Sequence, residues 1–67
     1  MGKVTMTELI GRTYASYEAE IRDYESKRNG DPEVEHVVDR LVEPLKEKLE
    51  TLEVMFEIET GKPMFAD

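Results

Sequence analysis

Cysteine is absent from this 67-residue chain, and histidine occurs only once. The chain therefore contains no disulfide bond, and it lacks the Cys and His cluster that a structural zinc site requires. A chain of this length is expected to form one domain whose stability comes from side-chain packing alone. Because so short a chain buries only about 60% of its unfolded surface, we expect a marginal monomer that gains stability by oligomerising.

Long apolar runs are missing as well. No segment approaches the roughly 20 apolar residues that span a bilayer, and the first residues lack the apolar core of a signal peptide. We therefore expect no contact with a membrane. The lack of cysteine agrees with a cytoplasmic location, which is our expectation for this chain.

Positive charge is scarce, since nine Lys and Arg residues stand against 16 Asp and Glu residues, for a formal net charge of −7. Binding to phosphates depends on clustered Lys and Arg, so this balance argues against direct nucleic-acid binding and favours a protein partner with a basic or apolar surface. A single His offers no Cys–His or Ser–His–Asp arrangement, and the isolated glycines form no phosphate loop. We predict that the chain is not an enzyme and uses no cofactor.

A long amphipathic helix over residues 32–60 is the strongest pattern in the sequence. Asp31 is the predicted N-cap, Pro32 suits the first helical position, and Gly61 suits the left-handed end. Pro44 lies inside this helix and predicts a kink, with a break into two helices as the alternative. Ten apolar side chains fall in one sector of the helix: Val34, Val37, Val38, Leu41, Val42, Leu45, Leu49, Leu52, Met55 and Phe56.

A second amphipathic helix is predicted over residues 6–28. Thr5 and Glu8 have the spacing of a capping box at its start. The turn at residues 29–31 is so short that the two helices must lie antiparallel, which predicts an all-α helical hairpin followed by a short tail at residues 61–67. The apolar stripe of the first helix consists of Met6, Leu9, Ile10, Tyr14, Tyr17, Ile21 and Tyr24.

The stripe on the longer helix is too wide to be covered by a single neighbouring helix. We therefore expect the hairpin to dimerise into a four-helix bundle. Because the second helix is longer than the first, Met55 and Phe56 are expected to reach an overhang that only the N-terminus or another subunit covers.

An apolar patch is predicted at the C-terminal end of the long helix, where we expect a partner protein to bind. Val54 and Ile58 are one turn apart on the side away from the main stripe. In the alternative arrangement, the tail folds back over these two side chains. The predicted partner-binding residues are Val54, Met55, Ile58, Met64 and Phe65.

The outer side of the long helix is acidic, with Asp39, Glu43, Glu47, Glu50, Glu53 and Glu57 along it. Such a row keeps a small oligomer soluble, docks a basic partner, or imitates a phosphate backbone. Glu33 and His36 have the Glu-x-x-His spacing of metal-binding bundles, but His36 falls on the solvent side. We expect an interaction or regulatory module, with an acidic nucleic-acid mimic as the alternative and a metal-binding bundle as the second alternative.

Overall fold

Two helices account for most of residues 3–65, the part of the chain that the computed structural model describes. The first helix, α1, spans Met6–Glu25, and the second, α2, spans Pro32–Thr60. The described residues contain no strand, so the predicted all-α helical hairpin is confirmed. Neither α1 nor α2 combines the length and the apolar character that crossing a bilayer would need.

Thr5 caps α1 as predicted, but no hydrogen bond joins the Thr5 N–H to the Glu8 carboxylate, so only half of the predicted capping box forms; the helix end also differs from the prediction. The Thr5 side chain accepts a hydrogen bond from the Glu8 N–H at 3.1 Å, which satisfies one of the free donors of the first turn. The helix ends at Glu25, three residues before the predicted end at Arg28. The Arg28 N–H still donates to the Glu25 carbonyl at 3.2 Å, so the chain leaves α1 through a tightened final turn.

Both ends of α2 are set by the residues that the sequence singled out. An Asp31 carboxylate oxygen accepts from the Glu33 N–H at 2.9 Å, and Pro32 occupies the first turn without losing a needed donor. At the other end, Gly61 has a φ of 74° and donates its N–H to the Glu57 carbonyl at 2.7 Å. A side chain at this left-handed position would be strained, which is why a glycine ends the helix.

Pro44 does not end α2. The helix continues on both sides of it, so the alternative of a break into two helices is wrong. The Pro44 side chain is exposed, and it therefore does not displace the apolar residues that face α1.

The core lies along the seam between the helices. Ile10 and Val42 are each only 2% exposed, and Tyr14 packs with Ile10 and Leu52 in one buried cluster. This seam is the only apolar surface of the described chain that α1 and α2 bury against each other. Its buried members are Ile10, Tyr14, Val38, Val42, Leu45 and Leu52.

The tail after α2 folds back onto the end of this core. Met64 packs against the cluster of Ile10, Tyr14 and Leu52, and the Phe65 ring meets the Tyr14 ring edge to face at 5.2 Å between centroids. Phe56 packs against the same cluster, so the expectation that it reaches an uncovered overhang is wrong. The tail therefore covers the end of the hairpin core, whereas the sequence predicted that the N-terminus or another subunit would cover it.

Candidate interaction surfaces

One broad side of the hairpin remains apolar and exposed, and we call it the apolar face. On α2, its residues are rotated by about 80° about the helix axis from the buried ones, so α1 covers only one edge of the wide stripe. On α1, Met6 lies about five helical turns before Tyr24 and therefore points in the same direction. The face comprises Met6 and Leu9 from α1, and Val37, Leu41 and Met55 from α2, each between 40 and 55% exposed.

At the turn end of the hairpin, the apolar face deepens into an open groove of about 490 Å³. The groove runs between the last turn of α1 and the first turns of α2, beside the six residues that connect the two helices. Lys27 and Glu33 carry opposite charges at its rim. Its apolar lining consists of Tyr24, Val34, Val37, Val38 and Leu41.

Few charges interrupt the apolar face. Lys48 lies near its middle, with its amino nitrogen 5.3 Å from the centre of the Tyr17 ring. A cation over an aromatic face at this distance is attracted by the ring, so the amine is held against the surface of its own hairpin. Glu20 lies about 20° around α1 from Leu9, and Glu59 lies five turns after Leu41 on α2, so both signs of charge occur on this side.

The opposite side of the hairpin is polar and is organised by Arg28, a residue that sequence reasoning missed. Its guanidinium contacts Glu25 at the end of α1 and reaches Glu35 at 3.2 Å and Asp39 at 2.6 Å on α2. The hydrogen bond from Arg28 lowers the pKa of the Glu25 carboxyl, and the three carboxylates together raise the pKa of Arg28. This cluster joins the two helices beside the turn, which identifies it as a structural feature.

The predicted acidic row is not one uniform surface. Asp39 is bound by Arg28, and Glu53 is half-buried near Tyr14. Burial raises the pKa of the Tyr14 phenol, and the negative charge of Glu53 raises it further. The remaining members, Glu43, Glu47, Glu50 and Glu57, are exposed, and none makes a salt bridge to another described residue.

The structure divides the predicted partner-binding residues among three places. Met55 belongs to the apolar face, whereas Met64 and Phe65 lie against the core cluster beside Tyr14. Val54 and Ile58 remain on the outer side of α2, 56 and 77% exposed. The tail therefore neither covers these two residues nor joins them in one patch.

Glu33 and His36 are both exposed on the first turns of α2. Within residues 3–65 of one chain, no three His, Cys, Asp or Glu side chains are grouped in a way that would hold a metal ion. A site built on Glu33 and His36 would require ligands from a second chain.

Comparison of the chain with protein-family models, with curated proteins and with solved structures found no match.

Proposed function

We propose that this chain is a small protein–protein interaction or regulatory module that works as a homodimeric four-helix bundle and has no catalytic activity. The observation that carries the proposal is the apolar face, together with the groove at its turn end. Two hairpins that pack through this face bury the part of the stripe that α1 leaves open. The exposed polar and acidic surfaces of α2 are then free to contact other proteins.

The exposed area of the chain supports a second copy as the occupant of this face. Its accessible surface is 5345 Å², whereas a folded monomer of 7.8 kDa is expected to expose about 4,400 Å². The surplus is therefore about 900 Å², close to the ~800 Å² that each partner contributes to a standard protein interface. One further hairpin is enough to cover it.

The charge distribution also supports self-association through the apolar face. Two chains of formal charge −7 repel each other unless their acidic side chains point away from the contact. Glu43, Glu47, Glu50 and Glu57 lie on the outer side of α2, away from the apolar face. The face is thus the side of the hairpin on which two copies meet with the least repulsion. We include in this proposal a kink at Pro44, which accommodates the missing hydrogen bond to the Arg40 carbonyl.

The test uses two valines on the same helix with nearly equal exposure. Val37 is 55% exposed on the apolar face, and Val54 is 56% exposed on the outer side of α2. The variants Val37→Lys and Val54→Lys change charge and helix propensity equally, so they differ only in location. Sedimentation equilibrium over a concentration series should give a dimer for the wild type and for Val54→Lys. Burying a lysine in the interface should weaken the Val37→Lys dimer by about 30-fold or more.

Circular dichroism on the same samples shows whether each variant keeps its helices. The proposal fails if the wild type is monomeric and helical throughout the series. It also fails if the two lysine variants dissociate equally, because dimerisation would then not depend on the apolar face.

The acidic nucleic-acid mimic is a second candidate, favoured by the exposed glutamates of α2 that make no salt bridge within the described residues. Glu43, Glu47 and Glu50 follow one another at intervals of three or four residues along the helix. Binding of this kind would weaken steeply with salt and would be displaced by DNA or RNA. A partner that binds equally well in high salt would exclude it.

A further inference from the structure

Val54 and Ile58 form an exposed aliphatic ridge that neither the hairpin core nor the apolar face uses. They are one turn apart on α2, and Val54 points almost directly away from α1. Ile58 is 77% exposed, the highest value among the large apolar side chains of the described residues. Packing of two hairpins through the apolar face would leave both side chains on the outside of the bundle.

The surroundings of this ridge are strongly acidic. Glu50 lies one turn before Val54, and Glu57 lies one turn after it on the same side of the helix. The last turn of α2 contains no basic residue, and Lys62, just beyond the helix end, is the one lysine next to this last turn and the negative end of the helix dipole. Exposed aliphatic surface and negative potential therefore occur together at this end of the helix.

We propose that the ridge binds a basic amphipathic helix of a partner protein. This inference rests on the proposed function and names the class of partner that the module engages. The two aliphatic side chains supply the apolar contact, and lysines or arginines flanking the partner's apolar stripe pair with Glu50 and Glu57. A second copy of this chain is a poor occupant, because two such ridges would bring glutamate against glutamate.

A designed peptide serves as the probe: a fluorescein-labelled helix of about 18 residues with a leucine stripe flanked by lysines, titrated by anisotropy at about 100 mM salt. The double variant Val54→Ser/Ile58→Ser should bind it at least tenfold more weakly than the wild type. Both side chains are exposed, and serine has a helix propensity similar to that of valine and isoleucine, so the fold should be retained. A matched peptide with glutamates in place of lysines should not bind.

Two double variants of equal charge distinguish ion pairing at the ridge from general electrostatic attraction between the peptide and the acidic chain. Glu50→Gln/Glu57→Gln and Glu18→Gln/Glu20→Gln remove the same charge, but the second pair lies on α1. The first pair should weaken binding at least fivefold and flatten its salt dependence, and the second should change it less than twofold. Equal losses from the two pairs would overturn the proposal, because attraction would then be nonspecific.

The lysine variants keep this test independent of the dimer. The proposal predicts that Val37→Lys binds the peptide like the wild type, whether or not it dimerises. Loss of binding in Val37→Lys with retention in Val54→Ser/Ile58→Ser would place the peptide on the apolar face and overturn the inference. A monomeric wild type that binds the peptide through the ridge would contradict the proposed dimer and leave the ridge inference standing.

Discussion

Replacing Phe65 by alanine tests the packing of the tail against the core. The residue is 61% exposed, so about 80 Å² of it is removed from water, which contributes about 2 kcal/mol at roughly 25 cal/mol per Å². The edge-to-face contact with Tyr14 adds about 1 kcal/mol. Ordering a residue so near the chain end costs about 1–2 kcal/mol. Phe65→Ala should therefore lower the free energy of unfolding by about 1–2 kcal/mol, a decrease in Tm of at least about 4 °C.

The assay is urea unfolding followed by circular dichroism, with every sample at the same protein concentration because association stabilises the folded chain. Ile58→Ala is the matched control. It also truncates a large apolar side chain near the C-terminus, but this one is 77% exposed and should change stability by less than about 0.5 kcal/mol. Equal stability of Phe65→Ala and the wild type would refute the packing of the tail on Tyr14.

Two further predictions concern the helices and their junction. Pro44→Ala should raise the free energy of unfolding by about 2 kcal/mol, because it restores a hydrogen bond to the Arg40 carbonyl and Pro44 is exposed in the single hairpin. Thermal unfolding at one fixed protein concentration checks this, and lower stability would contradict it. The hydrogen bond from Arg28 lowers the pKa of Glu25 in the folded chain below its unfolded value of 4.5. The stabilisation that Glu25 gives the folded chain is therefore complete above pH 4.5, and it is lost as the pH falls through the lower pKa of the folded state. Urea titrations between about pH 6 and pH 3 should therefore show a smaller loss of stability for Glu25→Gln than for the wild type, and identical pH profiles would count against the cluster.

The parts of the fold that could be predicted from the sequence depend on local interactions. Thr5 caps α1 with a donor three residues away, and Asp31, Pro32 and Gly61 set the ends of α2 within one turn. The apolar periodicity similarly identified the stripes that form the seam. These signals depend only on residues close together in the sequence, so they can be interpreted without knowledge of the tertiary structure.

The features that the sequence did not reveal depend on contacts between distant residues. Arg28 lies beyond the end of α1, and its guanidinium binds Glu35 and Asp39, 7 and 11 residues further along the chain. Phe65 likewise contacts Tyr14 although all of α2 lies between them in the sequence. This contact takes Phe65 out of the predicted C-terminal patch. Only the spacing of Arg28 and Glu25 was a local signal for the cluster, and such exposed pairs are too common to be informative alone.

Contact between two copies of the hairpin through the apolar face can be detected by intermolecular nuclear Overhauser effects. The sample is an equal mixture of isotope-labelled and unlabelled chains, in which filtered spectra report only contacts between chains. We predict such contacts from the methyl groups of Val37, Leu41 and Met55, and none from Val54. Contacts confined to Val54 and Ile58 in a dimeric sample, or a chain that stays monomeric and helical at millimolar concentration, would contradict it.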